Sequence, residues 1–518
     1  MKFPHQRLAT TATLALSVCA STATPTDPSP FGIAWGMLYG YSNEPARPYV
    51  DEIRKLGADF TKVFLFWQQI EPEQDQYDWT VVDAFADQLV RPEEGLITLF
   101  SSSLWATEQP SNLLPPSPAR NLEDYYDFVY QTVKRCAGKV RYWSNDIEAN
   151  NPVFWSGTRE QYVQQLKVFY QAVKDADPNA EVVLGGYDGL FVPPGTTTPD
   201  GHALPPMPGQ EDNLEFYEYV IEHAGDCFDI FDLRLYLSPY LIVPRIEYIR
   251  QLLDSHGCTQ PILVGEYGAP GFFDFPENFR YVELAMSRMN DLSQADPDGS
   301  AASISSTVQQ GIAELYDTMP TLAPQTQMFL LDCPPELHAK FRRIQSRHLV
   351  MQNVMALSAG VIRTLYWQYS PLRERNNPRH DIMTLLFGKF GMMEYEGDAM
   401  KPTPTAHTFA RMTRALSGIQ SVTRVPLSDP ASVFLFKVDR AAQGTTYVAW
   451  DYRDAFDGED LPPLHCEFAS EWTEVYAEDA FGNPIPASIE QGKLRFPVSV
   501  TPVYLSAQPF HELTPAGQ

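Results

Sequence analysis

Cysteine is scarce in this chain, and what there is forms no cluster. The 518 residues hold six, and no two of them make a CxxC. That excludes a zinc ribbon or a dithiol redox centre. Histidine shows no HxH or HExxH spacing, so a metal-dependent hydrolase is disfavoured and no metal or cofactor is expected. Positive charge is in short supply: 38 Lys and Arg stand against 65 Asp and Glu, a formal net charge of −27. Such a surface repels a phosphate backbone and anionic lipid, which removes nucleic acid and acidic membranes as partners. The plain role of that charge is solubility. No segment approaches about 18 uninterrupted apolar residues, so no transmembrane helix is expected. No internal repeat is present.

What is present begins with an export signal. Lys2 and Arg7 precede a short apolar run, Leu8 to Ala20, and small residues up to Ala23 suit cleavage, so residues 1–23 read as a signal peptide. Leu16-Ser17-Val18-Cys19 also resembles a bacterial lipobox, with bulky Val18 where such boxes hold Gly or Ala. The expected location is secreted or periplasmic, with anchoring through Cys19 as the alternative. Residues 24–30, TPTDPSP, form a Pro-rich tether. The other five cysteines, Cys136, Cys227, Cys258, Cys333 and Cys466, are odd in number and widely spaced. An exported chain allows one or two disulfides among them, Cys227 with Cys258 first, because both flank predicted strands.

From residue 31 onward, apolar runs of strand length alternate with helical periodicity, the pattern of a parallel α/β sheet. Strands are read at Phe31–Trp35, Phe60–Phe66, Gly95–Phe100, Val140–Trp143, Ala180–Gly185, Ile230–Tyr236, Pro261–Gly268 and Val361–Tyr366. Helices are read at 46–56, 80–90, 122–136, 158–176, 243–255 and 340–359. Thr158 and Gln161 have the spacing of a capping box. Eight strands of this kind imply a (β/α)8 TIM barrel over 31–404. Residues 270–335 exceed a minimal βα unit and read as an insertion after strand 7, on the mouth. It either narrows the cleft or is a peripheral decoration. The texture changes after Lys401-Pro402-Thr403-Pro404. A final helix and short alternating runs from about Val422 give a small β-sandwich over 405–518, structural or carbohydrate-binding.

Two of the strands lead into a carboxylate. The stretch YWSNDIEANN leaves its strand and carries Glu148, and PILVGEYG closes on Glu266. Both would lie at the C-terminal mouth of the barrel, where the chemistry of such barrels sits. Cleaving a glycosidic bond with retention requires such a pair, one carboxylate as nucleophile and one carboxylic acid beside the leaving oxygen. Tyr236, at the end of strand 6, is the candidate donor that keeps Glu266 ionised. Ionised Glu266 and an apolar wall from Trp143, Ile147 and Trp155 would keep a proton on Glu148. Taken singly, a strand-end Glu is more often a salt-bridge residue.

The same stretch carries a family likeness. The chain resembles clan A retaining glycoside hydrolases, closest in motif to glycoside hydrolase family 39, with a strand-4 motif near WEIWNEPN followed by a phrase like FWSGT. Trp143 matches the first Trp, Glu148 the Glu, Asn150 the final Asn, and residues 154–158 the phrase. The phrase from Trp67 to Trp79 also recurs in the clan, with Gln76 in place of Gly. The resemblance implies a carbohydrate substrate, Glu148 as acid/base and Glu266 as nucleophile. Ile147 stands where the family places the Asn that hydrogen-bonds the sugar 2-hydroxyl, and Ala149 replaces a Pro. Asn145 and Asp146 are the candidates to supply that contact. Lys62 lies near the family's Arg and either orients Glu266 or simply pairs within the barrel.

Trp35, Trp67, Trp105 and Trp367 fall at strand ends, where an indole face can stack on a sugar, although a Trp taken singly is more often core packing. With Asn150 and Tyr187 they complete the candidate substrate contacts. Arg373, Glu374, Arg375, His380 and Asp381 follow strand 8 and are weighed as a solvated cluster bordering the pocket. The reading is a secreted retaining glycoside hydrolase, β-xylosidase-like or an endo-glycanase. A transglycosylase on the same scaffold and a non-catalytic glycan-binding barrel are the alternatives. Sugar, linkage and oligomeric state stay open.

Overall fold

Parallel strands covered on both faces need continuous apolar runs, and β1 (Phe31–Ala34), β2 (Phe60–Phe66), β3 (Glu94–Phe100), β4 (Tyr142–Asn145), β5 (Glu181–Tyr187), β6 (Ile230–Tyr236), β7 (Ile262–Gly268) and β8 (Thr364–Tyr366) are buried along almost their whole length. The computed structural model describes residues 29–510 except 42–43, 91–93, 189, 208, 286, 288–305, 371–381, 397–398, 428–429 and 442. The signal peptide with Cys19, most of the tether, and the cluster of Arg373, Glu374, Arg375, His380 and Asp381 lie outside the described residues.

The eight strands close into a parallel barrel, with Phe31 of β1 in register with Thr364 of β8. Phe60, Leu96, Tyr142, Val183, Ile230, Leu263 and Leu365 form one interior layer of side chains, the filled core usual for this architecture. The helices α1 (Val50–Lys55), α2 (Thr80–Ala86), α3 (Leu122–Arg135), α4 (Arg159–Ala176), α5 (Gln210–Ala224), α6 (Ile242–Ser255), α7 (Pro335–Ser358) and α8 (Pro404–Ala415) form the outer ring. Asn121 caps α3, and Thr158 and Gln161 make the capping box of α4. Helix α5 was not anticipated from the sequence. Strand β4 starts two residues later than the apolar run suggested, because Val140 and Arg141 lie outside the ladder.

Two irregularities decide which way side chains face. Between Leu263 and Glu266, β7 runs three residues against two of β6, since Leu263 pairs with Asp232 and Glu266 with Arg234. In β5 the step from Leu184 to Tyr187 likewise spans only Phe231 to Leu233 of β6. Such bulges insert one residue and reverse the alternation of a strand beyond them. The first turns Glu266 inward, and the second turns Tyr187 outward.

Beyond β7 the chain leaves the barrel. Phe272, Phe275, Val308, Ile312 and Phe329 share one apolar cluster with Phe64, Phe66, Phe100 and Trp367 at the mouth. The described part of the inserted segment therefore packs on the mouth. After a hairpin of β9 (Met393–Glu396) and β10 (Ala399–Pro402), and then α8, the chain builds a two-layer sandwich. One sheet orders β11 (Ile419–Val425), β12 (Val433–Arg440), β13 (Gly444–Asp451), β18 (Val503–Ser506) and β15 (Tyr476–Asp479), and the other orders β14 (Leu464–Ala469), β17 (Lys493–Val498) and β16 (Ser488–Glu490). The five cysteines among the described residues are all free thiols. The expected Cys227–Cys258 disulfide is therefore absent: the Cys258 thiol packs on the Gly225 carbonyl and Cys227 faces Asp226.

Glu459, between β13 and β14, gathers three cations of α7. Glu459 accepts from Arg343 at 2.8 Å and from Arg347 at 2.6 Å, with Lys340 at 3.6 Å. Burial would raise its pKa, but Arg343 and Arg347 outweigh that and hold it down, from 4.5 to about 2. The Glu459→Gln variant leaves Arg347 buried without its counter-charge and should cost about 3 kcal/mol, read as a lower urea midpoint. A depressed carboxylate contributes fully above its unfolded value and loses that contribution as pH falls through the folded one. The wild type should therefore lose this part of its stability between pH 4.5 and about 2, and the variant should lack that part of the slope.

Candidate active site

The site is built on the inner face of β6. In IFDLRLY the alternation puts Asp232, Arg234 and Tyr236 on the inward side and Leu233 and Leu235 against the helices. Arg234 is almost completely enclosed, with 1% of its side chain exposed. Its Nη1 pairs with Glu266 Oε1 and lies 3.7 Å from Glu148 Oε1, and its Nε stands 3.5 Å from Asp232 Oδ2. Asp232 in turn accepts the Gly265 amide at 2.6 Å. A Cβ at Gly186 would collide with the Arg234 guanidinium, and one at Gly265 with the Asp232 carboxylate. The bulged strands thus carry glycine where the Asp232–Arg234 pair needs space.

Glu266 is saturated with donors. Lys62 Nζ lies 2.8 Å from its Oε1 and donates also to the Gly265 carbonyl at 2.7 Å, while the Tyr236 hydroxyl donates to Oε2 at 2.7 Å. Burial pushes its pKa up. The Arg234 and Lys62 charges, with the hydrogen bonds from Lys62 and Tyr236, outweigh burial and hold it below the usual carboxylate range. Burial is also the main reason Lys62 falls to about 8, with Arg234 adding to it.

Glu148 is the opposite case. Its side chain is 12% exposed and, among the described residues, has no hydrogen-bond donor, only the more distant Arg234 at 3.7 Å. Burial first, then the Glu266 charge and Asp188, raise its pKa to about 8 against the pull of Arg234 and Lys62. Its placement depends on a kinked exit from β4. Asp146 and Glu148 both adopt left-handed backbone, φ 45° and 44°, a conformation that costs a non-glycine residue about 1 kcal/mol or more and tends to persist at functional sites. The Glu148 amide bonds the Gly186 carbonyl at 2.7 Å, which anchors the kink to the bulge of β5.

One guanidinium nitrogen thus serves both carboxylates. Adding a normal N–H···O length of about 3 Å to the longer contact of 3.7 Å puts a ceiling of about 7 Å on the gap between the nearest oxygens. That ceiling admits the ~5–5.5 Å of double displacement and excludes most of the ~6.5–9.5 Å of single displacement.

The structure brings together only part of the predicted set. Glu148, Glu266 and Tyr236 converge. Trp367 stands beside them at the end of β8, its ring 5.8 Å from Lys62 Nζ, and Asn150 lies next to Asp188 on the Glu148 side. The others do not reach the mouth. Trp35 is 2% exposed and packs edge-on to Tyr39, and Trp67 is 0% exposed and stacks on Phe128 at 4.8 Å. Trp105 leans on Trp67 and donates to the Glu71 carbonyl at 2.9 Å. Tyr187, reversed by its bulge, packs on Phe191 and Tyr217 in the helical layer. Asp146 is committed to the Ser101 amide and hydroxyl, each at 2.8 Å. Asn145 is fully buried behind the barrel wall near Tyr162, so it does not replace the missing motif Asn.

Arg234, Asp232 and Asp188 were missed from the sequence. The signal for the first two was two charges, two residues apart, inside an otherwise apolar strand. Among the described residues no cluster of His, Cys, Asp and Glu could hold a metal ion, and no helix is long and apolar enough to cross a membrane.

No family model matches the sequence. No curated protein matches it either. Solved structures do share its architecture. A family 39 glycoside hydrolase from the gut symbiont Bacteroides cellulosilyticus WH2 superposes with a TM-score of 0.57 at 14% identity, over 93% of this chain and 81% of that one. AbfB, a family 51 α-L-arabinofuranosidase from Bifidobacterium longum, gives 0.52 at 10% identity, over 93% and 96%. A glucosidase from Croceicoccus marinus gives 0.50 at 13% identity, over 93% and 97%. At such identities the likeness is one of fold: a (β/α)8 barrel with an attached β-sandwich.

The Tyr236→Phe variant removes one donor from Glu266 with little change in volume. A lost hydrogen bond to a charged group is worth about 1.5–3 kcal/mol, so the Glu266 pKa should rise by about 1–2 units. A carbon-13 NMR titration of labelled glutamate would read that shift.

Proposed function

We propose that this chain is a retaining glycoside hydrolase, with Glu266 as nucleophile and Glu148 as acid/base. One observation carries the reading: two buried carboxylates, biased to opposite protonation states, face one guanidinium at the mouth of the barrel. Geometry of this kind suits double displacement. A Glu266 oxygen attacks the anomeric carbon, and the bond to the leaving oxygen breaks with its electron pair staying on that oxygen. The leaving oxygen takes the proton of Glu148. In the second half Glu148, now ionised, takes a proton from water. That water oxygen bonds the anomeric carbon, and the ester pair returns to Glu266. Lys62 and Tyr236 hold Glu266 ionised before attack and stabilise it again as it leaves. Trp367, 6% exposed and backed by Phe64, is the strand-end indole nearest the carboxylates and the candidate edge for contact with a sugar ring.

The substrate is a carbohydrate, handled at a mouth narrowed by the inserted segment. A β-xylosidase-like exo-hydrolase and an endo-glycanase both fit that description. Export, the residue boundaries drawn for barrel and sandwich, and a structural role for the sandwich belong to the same proposal.

The test is hydrolysis of a panel of aryl glycosides and polysaccharides by wild type, Glu266→Ala and Glu148→Ala. Loss of Glu266 should abolish turnover. Loss of Glu148 should slow poor leaving groups by about 10²–10⁴, and azide should restore an activated aryl glycoside as a glycosyl azide of retained configuration. An inverted product, or full activity in either variant, would sink the assignment. The pH profile follows from the directions above. Activity should fall on the basic side as Glu148 loses its proton near pH 8, and on the acid side only below the usual carboxylate range, where Glu266 gains one. The Glu148→Gln variant, assayed on an activated substrate, should lose the basic limb.

A further inference from the structure

We propose that Arg234 is a positioning residue that follows the negative charge between Glu266 and Glu148 during turnover, with Asp232 as its pivot. The proposal rests on the hydrolase reading above and adds a part to it.

The groups facing Arg234 are known from every strand around it. Lys62 comes from β2, Glu148 from the exit of β4, Asp232 and Tyr236 from β6, and Glu266 from β7. Asp188, at the end of β5, accepts the Leu190 amide at 3.2 Å, lies beside Asn150 and feels the charge of Arg245 first and of Arg234 second. Arg245 is its counter-charge, and that pair is the same in both stages. The neighbouring Tyr217 of α5 donates to the Gly185 and Gly186 carbonyls at 2.7 and 3.0 Å and stays neutral.

With the Asp188–Arg245 pair set aside as balanced, counting charges over the other groups gives a rule. At rest Lys62 and Arg234 supply two positive charges and Glu266 one negative, with Glu148 protonated; Asp232, which burial pushes up against the pull of Arg234 and Lys62, is counted as the second negative charge because it lies between those two cations. Once Glu266 is an ester it carries no charge, and the cluster holds two positive charges against one negative. Buried ions without counter-charge are costly. Release of the Glu148 proton restores two against two. The cluster is thus balanced in both stages, provided one cation can serve either carboxylate.

Arg234 has that geometry and Lys62 does not. The Lys62 ammonium is held by Glu266 and the Gly265 carbonyl. Arg234 pairs with Glu266 now and has Glu148 3.7 Å from the same nitrogen. Its Nε faces Asp232, whose other oxygen is fixed by the Gly265 amide. A planar fork whose Nε side faces a fixed carboxylate at 3.5 Å, with no hydrogen bond among the described residues holding its outer nitrogens, can swing them over a short arc. When Glu266 loses its charge, the nearest remaining carboxylate on that arc is Glu148, which must then act as base.

Glu266→Gln mimics the uncharged ester stage without any substrate. The Glu148 titration would be followed by carbon-13 NMR of labelled glutamate, assigned with Glu148→Gln, in wild type, Glu266→Gln, Arg234→Met and the Glu266→Gln/Arg234→Met double variant. A fixed field makes the two substitutions additive, to within about 0.3 of a unit. A swinging guanidinium makes them non-additive: Glu266→Gln should lower the Glu148 pKa by about one unit more when Arg234 is present. Should Arg234→Met fail to fold, Arg234→Lys carries the same cycle, because an ammonium lacks the second arm and the excess drop must shrink. Equal drops with and without the guanidinium would overturn the proposal. An inert wild type on the glycoside panel would sink the hydrolase reading, while this cycle would still decide the behaviour of Arg234.

Discussion

The barrel interior holds charges that are largely or wholly enclosed by protein, and their mutual balance is the constraint to which the rest of the site conforms. Lys62, Asp232, Arg234, Glu148 and Glu266 share a space closed below by the layer of Phe60, Leu96, Leu263 and Leu365. In such surroundings a single unmatched ion is dearer than any one hydrogen bond. The proton on Glu148 is therefore a property of the whole group. It stays because Glu266 already neutralises one of the two cations and Asp232 the other.

Backbone irregularity supplies the space. Regular β-strands would have carried Glu266 out to the helices and Tyr187 into the barrel. One extra residue in each of β7 and β5 exchanges them, and Gly265 and Gly186 admit the Asp232–Arg234 pair at the same places. The left-handed turns at Asp146 and Glu148 do for β4 what the bulges do for its neighbours. Three strands thus leave regular geometry where the carboxylates must meet, while the lower halves stay regular and hold the barrel closed.

This explains what could be read from the sequence and what could not. Strand positions were legible because FTKVFLF and IFDLRLY are apolar over whole parallel-strand lengths. The glutamates were legible because each stands where such a run breaks off. Side-chain direction was not, since a period-two count from Val183 puts Tyr187 inside and a single bulge reverses it. The indoles misled for a related reason. Trp35 and Trp67 do lie at strand ends, but the first packs among Tyr39, Tyr49 and Tyr369 and the second against Tyr125 and Phe128 of α3, where large rings fill the gap outside the barrel. Arg234 and Asp232 were visible as charges in an apolar strand, yet their partners lie on other strands, and pairing across a barrel is not a local property. The free thiols of Cys227 and Cys258 show the same limit: flanking neighbouring strands does not bring two side chains into bonding geometry.

The join between barrel and sandwich has a consequence for the life history of the chain. Phe434, Phe436, Val448, Trp450 and Tyr504 belong to the same buried cluster as the helical layer of the barrel, and Tyr240 packs on Phe434 and Tyr452 at 5.0 and 4.9 Å. The first sheet of the sandwich is therefore a wall of the main core and not a neighbour of it. A ribosome that has released only the barrel exposes that wall's complement, an apolar face with nothing to cover it. The nascent chain must wait for its last hundred residues before that face is covered, and a gene fusion that replaced the sandwich would have to rebuild the core as well.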